Sequence, residues 1–335
     1  MIRYTLRRLV FAAPVLLAIS LVVFLLLDLA PGDPMAQLPL SIPPEVKAEM
    51  RRVLGLDAPL PVRFGKWAWQ FYVIEPATWI DRALGTALTE DRPRMISWQT
   101  RAPVMDLIAQ RLPQTLWVVG LAYVVGILLA VPLGLWSAYR QYSAFDQLGG
   151  AVSIIGFAVP PFFSGVLLIL LFSVHLGWLP SSYDTTLRVT GWDSLLAQMR
   201  QMAMPVAVLS LQTTALISRY MRAAALDVLG QDHVRAARAR GSNERRVLMR
   251  HVARNAMLPV VSVIALGLPQ VFAGAIVTEQ IFRVNGVGHL LITSIQAGDL
   301  PTVQTITVLL AVFIVLANLA ADLIYAALDP RIRYA

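Results

Sequence analysis

Charge is missing from six stretches of this chain: residues 9–27, 112–139, 147–174, 201–218, 255–278 and 300–321. Each approaches the roughly 20 apolar residues that a bilayer-crossing helix needs. They predict spans near 9–29, 115–138, 149–174, 202–220, 258–279 and 303–325. The first follows Arg3, Arg7 and Arg8, as a secretory core would. Its 19 uncharged residues exceed the usual length of such a core, which predicts a retained helix in residues 1–30.

Polar and breaking residues qualify this pattern. Ala-Pro-Gly-Asp-Pro at 30–34 ends the first helix and turns the chain along the outer surface. Residues 31–113 then form a long outside segment with Trp67, Trp69, Phe71, Tyr72 and Trp79, suited to the membrane interface or to a partner's surface. A short surface helix is expected from Glu45 to Leu54. Pro132, Gly134, Pro160 and Pro161 fall inside the second and third spans, where neighbouring helices or waters can satisfy freed backbone groups. The third span carries Gly149, Gly150, Ser153, Gly156, Ser164 and Gly165, small residues that suit close packing. The fourth is the least apolar. Gln212, Thr213 and Thr214 at its centre face a pathway or glue helices together; both readings remain open here.

Composition agrees with a membrane protein, at 57% apolar and 14% charged residues. The net charge of +8 is placed for topology, which argues against nucleic acid as the partner. With the N-terminus inside, the segments 1–8, 139–147, 219–254 and 326–335 hold 15 basic and 5 acidic residues. The outside segments hold 13 of each, so the whole positive excess lies on the cytosolic side. There is no cysteine, hence no disulfide and no thiolate metal site.

The longest cytosolic segment contains Asp-His-Val-Arg-Ala-Ala-Arg-Ala-Arg-Gly at 232–241. Asp232 suits an N-cap, and Val234, Ala237 and Arg238 follow at helical spacing. Ala236, Ala237 and Ala239 keep this helix narrow enough to enter a partner's groove. Gly241 allows a left-handed turn, after which Ser242 or Asn243 can cap a second helix. Composition alone does not separate a docking element from a solvated basic loop.

The stretch resembles the EAA loop of binding-protein-dependent ABC importer permeases, in the form carried by the dipeptide, oligopeptide and nickel permease family. His233, Ala236 and Arg240 depart from that pattern, and Arg235 stands where the general signature has glutamate. Further resemblances lie in residues 30–34, Leu54-Gly55-Leu56-Asp57 with Pro59, Leu60 and Arg63, Leu84 to Leu88, and Arg111-Leu112-Pro113. Gly274-Ala275 with Glu279, Phe282 and Asn285-Gly286-Val287-Gly288, residues 299–304 and Leu328 to Arg333 complete it. Thr89 to Thr100 is longer than the family's usual connection.

The resemblance implies an all-α integral membrane fold of six transmembrane helices: one peripheral N-terminal helix plus a five-helix MetI-like, type I importer core. The core occupies 114–335, with a cytosolic coupling loop at 219–257. It further implies Asp232, Arg235, Ala236, Ala237, Arg238 and Gly241 as the ATPase-coupling element, and Glu279 as part of the outer gate beside the candidate pathway residues Gln212, Thr213 and Thr214. The partners so implied are a paralogous permease forming a heterodimer, two cytosolic ATP-binding subunits, an extracytoplasmic substrate-binding protein and membrane lipid. The cargo would be di- or oligopeptides, with nickel or another small solute as the alternative. The location would be a bacterial inner membrane, with both termini cytosolic.

Catalytic patterns are missing from the sequence. Gly65-Lys66 lacks the upstream glycine of a Walker A loop, and there is no His-Glu-x-x-His or Gly-x-Ser-x-Gly. No catalytic, cofactor-binding or metal residue is expected, and ATP with magnesium would belong to the partner ATPases. A gradient-driven transporter is the other class to weigh. Its inverted repeat and midplane ionisable residues are not apparent here.

Overall fold

The computed structural model describes residues 2–29, 45, 57–87, 89–90 and 92–328. Most of the expected surface helix at Glu45–Leu54 lies outside these residues. The described chain is helical: α1 (Ile2–Asp28), α2 (Leu60–Trp69), α3 (Glu75–Leu84), α4 (Val104–Tyr139), α5 (Ala144–Ala158), α6 (Pro161–Leu168), α7 (Trp192–Leu229), α8 (Asp232–Ala239), α9 (Arg254–Phe282), α10 (Val287–Gln296) and α11 (Leu300–Leu328). π-Helical turns at Gln70–Ile74, Ile169–His175 and Val247–Ala253 join or extend neighbouring helices.

Five helices are long and apolar enough to cross a membrane, at Val10–Asp28, Val104–Tyr139, Trp192–Leu229, Glu244–Gly267 and Leu300–Leu323. The third expected span is broken. Ala144–Ala158 and Pro161–His175 meet at 105°, so the stretch crosses only if the bent pair counts as one span. The cause is the tandem of prolines. Val159 and Pro160 each precede a proline, which disfavours the helical region, and both are extended, with ψ of 121° and 144°. Lone prolines such as Pro132, Pro205 and Pro269 sit inside helices that continue.

The chain divides into two compact units. One comprises Pro113–His289 with the terminal segments. Its core joins Ala130, Leu135, Ile217, Met221, Val234, Ala237, Val247, Val252 and Val260 in one cluster. A second cluster gathers Val118, Val119, Met204, Leu209 and Phe282. Small residues let α4 and α7 approach: a Cβ at Gly126 would lie 2.6 Å from Thr213 Cβ, and one at Gly134 2.5 Å from the Ser218 carbonyl oxygen.

The other unit comprises Leu6–Leu112 and Leu290–Phe313. Here α1 packs antiparallel to α2 and the π-turn after it. Arg63 pairs with Asp28, Phe24 meets Phe64 and Trp67, and the Ser20 and Tyr72 hydroxyls share a 2.6 Å hydrogen bond. The buried Glu75 accepts from Arg94 Nη2 at 2.8 Å and from the Met95 amide at 3.2 Å. Arg94 and Arg82 both reach Asp106. Asp299 accepts from Ser97 Oγ at 2.5 Å, Trp98 N at 2.9 Å and Thr302 Oγ1 at 2.7 Å. The part of residues 31–113 that is described is thus an organised helical segment closed by buried carboxylates.

Candidate functional site

The basic loop is built on two buried residues. Val234 and Ala237, one turn apart on α8, are 0% and 1% exposed and join the core with Val247 and Val252. Asp232, His233, Arg235, Ala236, Ala239 and Arg240 remain exposed. The outward face therefore carries Ala236 and Ala239, while Ala237 faces this chain's own core. That corrects the expectation that all three alanines serve a partner's groove. Helical periodicity assigns two faces but not which one the molecule buries.

The ends of α8 also differ in part from expectation. The cap position belongs to Gln231, which is extended, and Asp232 is the first helical residue. Its carboxylate lies near the positive end of the helix dipole and 3.3 Å from Arg235 Nη1. At the other end Gly241 has φ +77°, the left-handed turn anticipated for it. The Gly241 amide donates to the Arg238 carbonyl at 2.9 Å, and the Ser242 amide to the Ala237 carbonyl at 3.2 Å. Asn243 then caps the next turn, its Oδ1 accepting from the Arg245 amide at 3.0 Å. Arg238 spans the turn with two bonds to Glu244, at 2.8 and 3.2 Å. An exposed helix is thereby held at fixed attitude by two buried residues, one left-handed glycine and one ion pair.

Glu279 forms a second constellation. It is fully buried, accepting from Thr115 Oγ1 at 2.7 Å and from the His289 amide at 3.1 Å. Thr115 Oγ1 in turn accepts from the Val287 amide at 2.8 Å. A Cβ at Gly286 would fall 2.2 Å from Glu279 Oε1, and one at Gly288 2.6 Å from Ile276 Cα. The Asn-Gly-Val-Gly stretch is folded over a buried carboxylate, and both glycines provide room for it. The sequence resemblance already groups Glu279 with this stretch; Thr115, 164 residues away, carried no signal.

The three polar residues at the centre of α7 divide only in part. Thr213 is buried, bonded to the Leu209 carbonyl at 3.1 Å and pressed against Gly126. Thr214 Oγ1 donates to the Gly126 carbonyl at 3.2 Å, so both threonines bind α7 to α4. Gln212 lines a cavity of about 250 Å³ with Tyr123, Phe157, Thr213, Leu216, Val263 and Gly267. Among the described residues no group of three or more His, Cys, Asp or Glu side chains is placed to hold a metal ion.

Known proteins supply the context for this geometry. Residues 130–334 match the model of the binding-protein-dependent transport system inner membrane component, and residues 1–119 match that family's N-terminal region. The oligopeptide transport system permease protein AppB of Bacillus subtilis is 35% identical over all of both chains. The glutathione transport system permease protein GsiC of Salmonella paratyphi A is 33% identical, again over all of both chains. Among solved structures, an inward-facing MetNI methionine ABC transporter chain is similar with a TM-score of 0.54 at 18% identity, covering 67% of this chain and 97% of that one. That last likeness concerns the fold, which is all-α and MetI-like. The chain thus belongs to the family of binding-protein-dependent transport system inner membrane components, and is a multi-pass permease subunit of an ABC importer rather than an enzyme.

Proposed function

We propose that this permease imports di- or oligopeptides, pairing with a paralogous permease so that cargo passes between the two. Membership of the family implies ATPase and substrate-binding partners. In this reading the complex holds two cytosolic ATPases, one of which engages α8 through Asp232, Arg235, Ala236 and Ala239, with Arg238 and Gly241 fixing its attitude. Nucleotide-driven closure of the ATPases then moves the permeases as rigid bodies. Gln212 lies on the pathway, and Glu279 holds the outer gate by binding the His289 amide directly and the Val287 amide through Thr115. Both termini are cytosolic.

The observation that carries the reading is an exposed helix anchored from beneath, in a chain similar end to end to relatives named for oligopeptide and glutathione transport. Its test is the complex with its binding protein in lipid nanodiscs, with ATP hydrolysis measured against candidate cargo. Stimulation by short peptides is expected. Stimulation by nickel or an oligosaccharide, with none by peptides, overturns the assignment of cargo. Topology is tested in the naturally cysteine-free chain: Gln99→Cys is expected to react with an impermeant thiol reagent from outside and Arg240→Cys from inside. The reverse pattern overturns the orientation.

A further inference from the structure

Beside the Gly241 turn lies an open concavity of about 660 Å³, lined by Tyr139, Arg140, Gln141, Tyr142, Ser143, Arg238 and Glu244. One wall is the turn between α4 and α5. The other is the ion pair that braces α8. The α4–α5 turn is held in an unusual state, because Tyr142 has φ +63°, a region costly for a bulky side chain. Its ring is nonetheless 77% exposed, so packing of the ring does not explain the conformation.

The backbone around it is over-determined. Asp146 Oδ2 accepts from the Tyr142 amide at 2.9 Å, and Gln147 Nε2 donates to the Tyr142 carbonyl at 3.3 Å. Ser143 Oγ accepts from the Asp146 amide at 3.3 Å, capping α5. Asp146 is itself buried and gripped from α7 by Arg222, whose Nε and Nη2 lie 2.6 and 2.7 Å from its two oxygens. Arg140 is set aside from these bonds, resting over the Trp136 ring at 5.7 Å. A fixed frame that holds an aromatic side chain outward in a strained backbone presents that side chain to something outside the chain.

We propose that Tyr142 is a second docking residue for the same ATPase subunit that engages α8, with a polar segment of the ATPase filling the concavity between Tyr142 and the Arg238–Glu244 pair. The occupant follows from continuity: two of the lining residues, Arg238 and Glu244, belong to the loop read above as the ATPase contact. The proposal rests on that reading. Tyrosine suits the role because it brings a large, rigid, amphipathic surface at low entropic cost.

The test uses the whole importer complex in membranes, with a photo-crosslinking benzoyl-phenylalanine placed at position 142 or at position 236. Adducts with the ATPase at both positions are expected. An adduct at 236 without one at 142 overturns this proposal and leaves the role of α8 standing; none at either position overturns both. Variants supply the second readout. Tyr142→Gly should lose affinity for the ATPases by about ten-fold, as for an interface anchor, while the permease melts at the same or a higher temperature because glycine relieves the backbone. Tyr142→Phe keeps the ring and should retain most of the affinity. Unchanged ATPase affinity in Tyr142→Gly would reduce the residue to a strained turn and overturn the proposal.

Discussion

Two glycine-bearing turns in this permease look alike in sequence and are unlike in physics. Gly241, after the exposed helix α8, has φ +77° and nothing within 4 Å of where a Cβ would sit. Gly286 and Gly288, beside the buried Glu279, have no positive φ, yet an added Cβ would stand 2.2 and 2.6 Å from existing atoms. The first glycine is required for its backbone conformation and the other two for lack of space. A conformational requirement bends to any residue that tolerates the left-handed region. A spatial requirement does not.

The sharpest separation should come from Gly288→Ala. Its Cβ meets backbone at Ile276 Cα, which cannot swing aside, so a cost of about 3 kcal/mol or more is expected, with loss of monodisperse protein on size-exclusion chromatography. Asparagine rescues nothing at this position; if it did, the spatial account would be wrong.

Next comes Glu279→Ala, which strips the Thr115 hydroxyl and the His289 amide of their acceptor and should destabilise the turn at residues 285–288 by roughly 2–3 kcal/mol. Hydrogen exchange confined to residues 285–290 would register it. Glu279→Gln, which keeps an acceptor, should lose less. Equal exchange in both variants would break the link between this carboxylate and the turn.

Within the basic loop, neighbouring alanines should divide stability from the proposed docking. Ala237→Leu forces bulk into the core beside Val247 and should cost about 2 kcal/mol, read as a lower melting temperature. Ala236→Leu should leave melting unchanged and weaken co-purification of the ATPases. If both behave alike, the assignment of the inner and outer faces of α8 fails.

Gly241→Val should add strain of about 1–2 kcal/mol, local to the turn, so that the protein inserts and pairs normally but hydrolyses ATP without coupled transport. Gly241→Asn should be milder, the opposite of the outcome at Gly288. Smallest of all, Arg235→Ala removes an exposed pair and should change stability by about 0.5 kcal/mol or less. A large loss of ATPase binding in that variant would then report contact with the partner rather than folding.

The sequence by itself determined the class of the molecule, the number and approximate place of its apolar segments, the left-handed turn at Gly241 and a helix cap at Ser242 or Asn243. Each of these depends on local rules: absence of charge over about 20 residues, or the backbone freedom of one residue type. The tandem Pro160–Pro161 breaks a span by 105° whereas the lone Pro132 and Pro205 do not break theirs, a local difference that follows from two successive residues each preceding a proline. Tertiary structure alone decided that Ala237 faces inward, that Thr213 and Thr214 bind helices together while Gln212 and Thr213 line a cavity, and that Thr115 reaches Glu279. These outcomes depend on which distant residue occupies the neighbouring space. Periodicity along one helix holds no record of that: it supplies the faces, and packing against the rest of the chain chooses among them.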